Sequence, residues 1–308
     1  MLKFIKYIFI FLLFLSITYF IFVAIWGDYS PFRKNLNYRL GISGHTYTRL
    51  NRASKIKEVD LLFLGSSHAY RGFDNRIFLN EGYKSFILGS NSQTPIQTEF
   101  LLNRYLDSLN PKTVVFEVCP FVFSLDGVEA SLVLLSNDKV NLETIKLALS
   151  QNHLMIYNTL FYSIYRNVVH HDREKYFEKP KMENDFYIEG GFVERELMFY
   201  KSKKFEKIKW KYNKDFFDSL QHIVKILKDR NIEFILVQAP VTSDLYNSYI
   251  NNDDFDREIK KYGDYYNFNE ILYLNDTLHF QDYHHLNRKG VEDFNKSILN
   301  ILKVKRVD

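Results

Sequence analysis

A glycine and two serines at the end of an apolar run are the first residues whose types could do chemistry. The run from 59 to 64 is mostly apolar and leads into Gly65-Ser66-Ser67. A serine hydroxyl in such a turn becomes a nucleophile once a neighbouring base accepts its proton. By the Gly-x-Ser spacing, we predict that Ser67 rather than Ser66 is the nucleophile. The alternative is an ordinary strand-to-helix turn in which the serines cap the helix.

An acid and an imidazole that could activate this hydroxyl come far downstream. Asp282 and His285 are three residues apart, so a single turn of backbone brings the carboxylate to the imidazole Nδ1. The carboxylate would fix the tautomer in which Nε2 takes the serine proton. His284 is the competing base, and would be chosen only if the loop is extended. The other interpretation is that Asp282 and Asn287 merely cap the last helix.

An acyl-transfer reaction at Ser67 also needs hydrogen-bond donors about 3 Å from the developing oxyanion. In parallel α/β sheets, ligands bind beyond the carboxyl ends of the strands, where Ser67, Gly89 and the segment after Val118 fall. We therefore expect the backbone N–H groups of Ser67 and Gly89 to be two of the donors. His68 follows Ser67 directly, and adjacent residues do not easily aim their side chains at each other, so it is expected only to line the site.

No cofactor or metal is predicted. The single Cys119 rules out an internal disulfide and a zinc site built from cysteines, and the histidines outside the candidate site lack metal-ligand spacing. The sequence also has no Gly-rich phosphate loop.

The elements that must position these residues form an α/β pattern. The predicted strands are 59–64, 84–88, 113–118, 232–237 and 266–272, and the predicted helices include 74–79, 214–228 and 288–302. Asp74 and Asn287 are the expected caps of two of these helices. Thr94-Pro95-Ile96-Gln97 has the pattern of a capping box, which predicts another helix start.

A long insertion separates the third and fourth of these strands. It runs from about 121 to 212, with helices at 141–150 and 153–169, and is far longer than a crossover requires. We expect a lid or subdomain over the strand ends. Its aromatic side chains could stack on sugar faces, although they could equally form the lid's own core. They include Tyr157, Phe161, Tyr162, Tyr165, Phe186 and Tyr187.

A membrane helix is predicted at the start of the chain. Residues 7–26 carry no charge and would span about 30 Å, the thickness of a bilayer core. The bulky Val23-Ala24-Ile25-Trp26 argues against a cleaved signal peptide. We therefore predict a signal anchor at 1–27 that contacts the lipid bilayer, and a juxtamembrane tether at 28–57. Lys3 and Lys6 on one side nearly balance Arg33, Lys34 and Arg39 on the other, so charge alone leaves the orientation open.

Composition sets the remaining bounds. The 308 residues are 46% apolar and 25% charged, as in a globular protein, and suit one main domain with attachments. The formal net charge of +4 is no nucleic-acid footprint, so no nucleic-acid partner is predicted. Aromatic residues reach 17% and occur with abundant Ile, Lys and Asn, which is typical of an AT-rich coding bias rather than of sugar binding.

The first and last motifs together resemble the SGNH (GDSL-like) hydrolase family, whose Gly-x-Ser turn comes first and whose Asp-x-x-His comes last. The resemblance covers about 59–302, with the insertion unmatched. It implies a domain at 58–304 that is a three-layer, flavodoxin-like sandwich around a central parallel sheet. The family normally adds an oxyanion-hole asparagine from a Gly-x-Asn motif after the third strand. This chain has Glu117-Val118-Cys119-Pro120 there, so Asn91 is a possible substitute. Three further side chains are expected to line the site: His68, Glu117 and His284.

Within that family, an anchor helix followed by Gly-x-Ser-His and Asp-x-x-His-Leu looks like the alginate O-acetyltransferases and the teichoic-acid D-alanylation protein. The resemblance implies a single-pass membrane protein with an extracytoplasmic serine esterase or O-acyltransferase domain. Its substrate would be an acylated glycan or envelope polymer, with a membrane-bound acyl donor protein as a possible partner. The alternatives are a non-catalytic envelope assembly or carbohydrate-binding protein, a lipid esterase, and a purely structural domain.

Overall fold

The computed structural model describes residues 1–31, 34–41 and 44–305. Its strands are β1 Leu61–Gly65, β2 Ser85–Gly89, β3 Thr113–Glu117, β4 Lys181–Met182, β5 Asp185–Tyr187, β6 Val193–Arg195, β7 Glu233–Gln238 and β8 Tyr265–Asn267. Its helices are α1 Leu2–Tyr29, α2 Thr46–Ala53, α3 Ser67–Gly72, α4 Asn75–Asn80, α5 Pro95–Leu109, α6 Val128–Asn137, α7 Leu142–Gln151, α8 Leu154–Tyr165, α9 Asp172–Lys175, α10 Lys214–Asp229, α11 Ser243–Tyr246, α12 Asn252–Ile259, α13 Phe268–Ile271, α14 Asp276–His279 and α15 Arg288–Lys305.

Five of these strands form one parallel sheet in the order β2-β1-β3-β7-β8. This is the flavodoxin-like order, in which the chain reverses direction across the sheet beside β1. The register pairs Gly65 at the end of β1 with Gly89 at the end of β2. The predicted α/β class with a central parallel sheet is confirmed, and the candidate nucleophile follows the central part of that sheet. A separate antiparallel sheet contains β4, β5 and β6.

Helices cover both faces of the parallel sheet. Leu61 and Phe63 of β1 share a buried cluster with Phe294 and Ile298 of α15. On the other side, α5 packs against α10, and these helices contact β1 and β7. Because both faces are covered, the middle residues of β1 are continuously apolar, and Leu62 is as fully buried as its neighbour Phe63.

The predicted helix starts are confirmed by their caps. The Asp74 side chain accepts a hydrogen bond from the backbone N–H of Arg76 at 3.0 Å. The Thr94 backbone N–H donates to the Gln97 side chain at 3.1 Å, which is half of the predicted capping box. The Asn287 side chain accepts from the N–H of Lys289 at 3.0 Å and so begins α15.

The predicted last strand, 266–272, is wrong over most of its length. The strand β8 ends at Asn267, and α13 follows at once. The reason is that the Asn267 side chain accepts a hydrogen bond from the N–H of Asn269 at 3.1 Å, which caps a helix where the apolar run had indicated a strand.

The chain divides into two compact units, one formed by Met1–Leu40 with Ser131–Tyr176 and the other by Gly41–Ala130 with Phe177–Asp308. The predicted insertion therefore contributes to both units. The predicted tether does so as well, since α2 belongs to the second unit and carries the fully buried Arg49. Arg33, one of the charges weighed for membrane orientation, lies outside the described residues.

The first unit contains α1, which has 28 residues and a mean hydropathy of 2.8 over its most apolar part. A helix of this length and composition can cross a membrane, and it includes the predicted span at 7–26. The predicted helices of the insertion are confirmed as α7 and α8, the latter continued by a π-helical turn over Arg166–His170.

Candidate functional site

The turn between β1 and α3 presents Ser67 at the end of the sheet. Gly65 has a φ of 140°, in the region that favours glycine, and a Cβ at this position would lie 2.9 Å from the Cβ of Glu117. Ser66 caps α3 by accepting a hydrogen bond from the N–H of His68 at 3.3 Å. The Ser66 hydroxyl also donates to Glu117 at 3.3 Å. The two serines therefore have different environments, and Ser66 is held by the protein interior.

Ser67, His285 and Asp282 form one hydrogen-bonded chain. The Ser67 Oγ lies 2.9 Å from the His285 Nε2, and the His285 Nδ1 lies 2.9 Å from the nearer Asp282 oxygen. The N–H groups of His284 and His285 also donate to Asp282, each at 2.8 Å. With Nδ1–H donating to the carboxylate, Nε2 is left to accept the serine proton. This geometry can activate a hydroxyl for attack on an acyl carbon.

The pKa shifts of His285 and Asp282 favour a neutral imidazole beside an ionised carboxylate. Burial acts to raise the pKa of Asp282, but the hydrogen bonds from His285 and the two backbone N–H groups hold it well below its usual range. Burial also lowers the pKa of His285 below its ordinary value of 6.5. Asp282 opposes this effect, and the positive charges of His68 and Arg71 reinforce it. His285 is therefore neutral, and able to accept a proton, at neutral pH.

Behind Ser67 lies a buried group formed by His68, Glu117 and Cys119. The His68 Nδ1 lies 3.3 Å from a Glu117 oxygen, and the donor atoms of all three residues lie within 4.8 Å of one another. Burial acts to lower the pKa of His68, but Cys119 and Glu117 outweigh it, so the pKa lies well above 6.5. Three such side chains could hold a metal ion, yet the His68 imidazole is already paired with Glu117.

His284, the alternative base, is placed differently from His285. Its ring lies 5.6 Å from that of His68 and 5.3 Å from that of Phe121, centroid to centroid. Its Nδ1 is buried and has no hydrogen-bond partner among the described residues. Burial and the neighbouring His68 and His285 lower the pKa of His284 to about 3. His284 is therefore neutral and lines the site, and no described carboxylate bonds to its Nδ1.

The expected oxyanion-hole residues gather near the same turn. A Cβ on Gly89 would lie 2.8 Å from the carbonyl oxygen of Gly65, so only glycine lets these two strand ends approach so closely. Asn91 borders the cavity described below, and its side-chain oxygen accepts a hydrogen bond from the Tyr70 hydroxyl. The Asn91 side chain is thus anchored at the cavity that Ser67 also lines. Gly89 and Glu117 are not among the described residues that line the cavity.

Arg49 binds the backbone at the end of β2. Its guanidinium donates to the carbonyl oxygens of Gly44, Gly89 and Gly191, at 2.5, 2.7 and 3.1 Å respectively. Its carbon also lies 4.5 Å from the centre of the Tyr70 ring. Because Tyr70 in turn bonds to Asn91, this one buried cation fixes both the backbone and a side chain next to the site.

A cavity of about 700 Å³ opens over the hydrogen-bonded chain, and all of its lining belongs to the second unit. The lining residues are Gly41, Gly44, His45, Ser66, Ser67, His68, Tyr70, Arg71, Asn91, Ser92, Phe121, Val122, Met182, Glu183, Asp185, Arg195, Asp282, Tyr283, His284 and His285. Of the expected lining residues, His68 and His284 do border it. The volume is large enough for a small acyl group and part of its carrier.

Several of these lining residues were missed by the sequence analysis. Arg71 makes a bidentate ion pair with Asp185, with N–O distances of 3.1 and 2.7 Å. Arg195 binds the same carboxylate at 2.7 Å. Arg71 could have been found, because it lies one helical turn after Ser67 in α3. Asp185 and Arg195 had no sequence signal, since they reach the cavity from the small antiparallel sheet.

The aromatic side chains that were expected to stack on sugars lie elsewhere. None of the six aromatic residues proposed from the insertion lines the cavity in the described structure. Tyr157, Phe161, Tyr162 and Tyr165 belong to the first unit, because the chain between 131 and 176 packs with the N-terminal helix. The aromatic lining consists instead of Tyr70, Phe121 and Tyr283.

Comparison with known proteins gave weak similarities. No family model and no curated protein match the sequence. Among solved structures, a proposed acylhydrolase from Bacteroides fragilis is 10% identical, with a TM-score of 0.42 over 83% of this chain and 94% of that one. A GDSL-like lipase from Bacteroides thetaiotaomicron is 11% identical, with a TM-score of 0.42 over 84% of this chain and 98% of that one. These similarities do not assign this chain to a family.

Proposed function

We propose that the protein is a serine esterase or O-acyltransferase. The observation that carries this proposal is the hydrogen-bonded chain in which His285 lies 2.9 Å from both the Ser67 hydroxyl and Asp282. Ser67 Oγ would attack the acyl carbonyl carbon while its proton moves to His285 Nε2. The imidazolium would then protonate the leaving alcohol and leave an acyl group on Ser67. The backbone N–H groups at the strand ends and the Asn91 amide would stabilise the oxyanion.

The acyl group would then pass to water or to a second hydroxyl. In bulk water the acyl-enzyme competes with water at about 55 M. An acceptor hydroxyl that is bound in the right orientation can reach an effective molarity of roughly 10⁵ M and so outcompete water. The cavity over Ser67 offers walls from Phe121, Tyr283 and Arg71 that could hold such an acceptor. The resemblance to envelope O-acyltransferases supports a glycan or envelope polymer as substrate and a membrane-bound protein as acyl donor.

We further propose that α1 anchors the protein as a single-pass membrane protein with the second unit outside the cytoplasm. The length and apolar composition of α1 support the anchor. The orientation rests on the resemblance, because the acylated polymers of those relatives are extracytoplasmic. Alkaline phosphatase fused after Asp308 should be active in cells, and an inactive fusion that is stably expressed would contradict this orientation.

The full-length protein in detergent is expected to form a covalent adduct with a fluorophosphonate probe. Such probes react with an activated serine and not with serines in general. Peptide mass spectrometry should place the adduct on Ser67. The Ser297→Ala variant is the matched control, because it removes a hydroxyl on α15 that does not border the cavity and should keep the labelling.

An unlabelled wild-type protein that is folded would contradict the enzyme proposal and favour a non-catalytic envelope or carbohydrate-binding role. If labelling occurs, an acetyl ester supplied with and without an oligosaccharide separates the two reactions. We expect acetyl groups on the sugar together with slow hydrolysis. Free acid alone, at a rate that the sugar does not change, would leave a plain esterase. A strong preference for phospholipid esters would favour the lipid esterase.

The rate of labelling is expected to rise with pH to a plateau that is already reached at neutral pH. His285 must be neutral to accept the serine proton, and burial with nearby positive charge keeps its pKa below 6.5. The midpoint of the acid limb should therefore lie below 6.5. A pH series of labelling rates measures it, and a midpoint above 6.5 would contradict this description of the base.

A further inference from the structure

The helical hairpin formed by α7 and α8 carries apolar side chains that the described protein leaves exposed. On α7, Leu142 and Leu149 are 75% and 62% exposed, and Ile145 between them completes a stripe at helical spacing. The opposite stripe of α7 contains Leu147 and Ala148, which are buried within the protein. The helix is thus apolar on two sides, of which only one has a protein partner.

Further apolar side chains are exposed at the two ends of α8. Leu154 is exposed at its start, and Ile164 and Val168, four residues apart, are exposed at its end and in the π-helical turn. Val169 beside them is exposed as well. Together with the α7 stripe, these exposed apolar side chains are candidates for an interaction site.

The helix α8 lies beside α1 within the same unit. The Phe161 ring packs on the Phe20 ring with centroids 4.5 Å apart. The Tyr19 hydroxyl donates to the Asn158 side chain at 2.7 Å. The helix α8 therefore runs side by side with the last turns of α1, the helix that can cross a membrane.

The two helices also match in polarity along their lengths. At the end of α1, Asp28 accepts hydrogen bonds from Tyr162 and Tyr165, at 2.7 and 2.8 Å, and forms an ion pair with Arg166. The other end of α8, at Leu154, lies toward the middle of α1. The polar and charged groups at these two helix ends are thus paired with one another.

Polar groups deeper in the contact are satisfied within the protein. Asn158 accepts from Tyr19 through one side-chain atom and donates to the carbonyl oxygen of Asn35 at 3.0 Å through the other. Internal pairing of this kind is what a segment in contact with lipid requires, since hydrocarbon offers no hydrogen bonds.

We propose that the α7–α8 hairpin contacts the bilayer beside α1 and buries its exposed apolar side chains among acyl chains. It is a second membrane contact that fixes the first unit against the bilayer. This inference rests on the proposed membrane anchor and is independent of the proposed activity. Amphipathic helices of this kind bind bilayers by burying their apolar face at the boundary between headgroups and acyl chains.

The test uses spin labels on the full-length protein, reconstituted in phosphatidylethanolamine and phosphatidylglycerol vesicles. Labels are attached to Leu142→Cys, Leu149→Cys and Val168→Cys. Leu79→Cys is the matched control, because Leu79 is 64% exposed on α4 of the other unit. The native Cys119 is buried, and the unsubstituted protein reports any labelling there.

The hairpin labels are expected to collide several-fold more with oxygen, which concentrates in acyl chains, than with a water-soluble nickel complex. The Leu79→Cys label should show the reverse preference. Hairpin labels as open to the nickel complex as the control would overturn the proposal. Labels immobilised and closed to both reagents would also overturn it, because a second copy or another protein would then cover the stripes.

Discussion

Replacing Ser67 or His285 by alanine is expected to lower kcat/KM for a small acyl ester by roughly 10⁴- to 10⁶-fold. Either change removes one end of the hydrogen bond through which the hydroxyl would lose its proton. The double variant should be no slower than the slower single variant, because the first change already breaks the unit. Steady-state rates of the three variants, with circular dichroism to verify folding, measure the effect.

The control for this series is His222→Ala. His222 is an exposed histidine that pairs with Glu99 at 3.2 Å, so its removal tests the loss of an imidazole away from the site. Its rate should equal that of the unsubstituted protein. Losses that add up in the double variant, or a folded Ser67→Ala protein with full activity, would exclude Ser67 and His285 as a catalytic pair.

The change Asp282→Asn is expected to lower kcat by about 10³- to 10⁴-fold while the fold is retained. The amide has nearly the same shape as the carboxylate, but it can favour the tautomer that leaves Nε2 protonated. It also cannot stabilise the imidazolium as a charge does. Since Asp282 would act on His285 and not on the substrate, KM should change little, and steady-state kinetics separate the two constants.

Asp293→Asn is the matched control for this prediction. Asp293 is a half-exposed carboxylate on α15 that lies 3.7 Å from His279, so the same chemical change is made beside another histidine. We expect unchanged kinetics. A kcat of the Asp282→Asn variant within about tenfold of the starting protein would mean that His285 is oriented by another group.

The sequence carried most of the information on the parallel sheet and on the gathering of Ser67, Asp282 and His285. Apolar runs that end at a glycine or proline define buried strands, and the sheet order brings the strand ends to one edge. The spacing between Asp282 and His285 is local, so backbone geometry alone brings these two side chains together. Their roles in catalysis stay predictions until the variants are measured.

The parts that could not be predicted depend on segments distant in the chain. The sequence pattern favoured His285 over His284 as the base, but the position of His284 between His68 and Phe121 had no sequence signal. Glu117 and Cys119 are two residues apart in extended chain, so a shared direction could have been inferred, but their contact with His68 could not. The predicted end of β8 was wrong because the Asn267 side chain caps a helix where the apolar pattern had indicated a strand.

The three carbonyl bonds of Arg49 decide where the chain can be shortened. A fragment that begins at residue 58, just before β1, would lack Arg49. The carbonyl oxygens of Gly89 and Gly191 would then lose their hydrogen-bond donor. Each buried carbonyl that loses its donor lowers the free energy of unfolding by about 1–3 kcal/mol. A lysine side chain could not restore these bonds, because its single ammonium does not reach three acceptors as the planar guanidinium does. Any water-soluble fragment of this unit must therefore begin upstream of Gly44, so a buried cation and not the first strand sets its N-terminal limit.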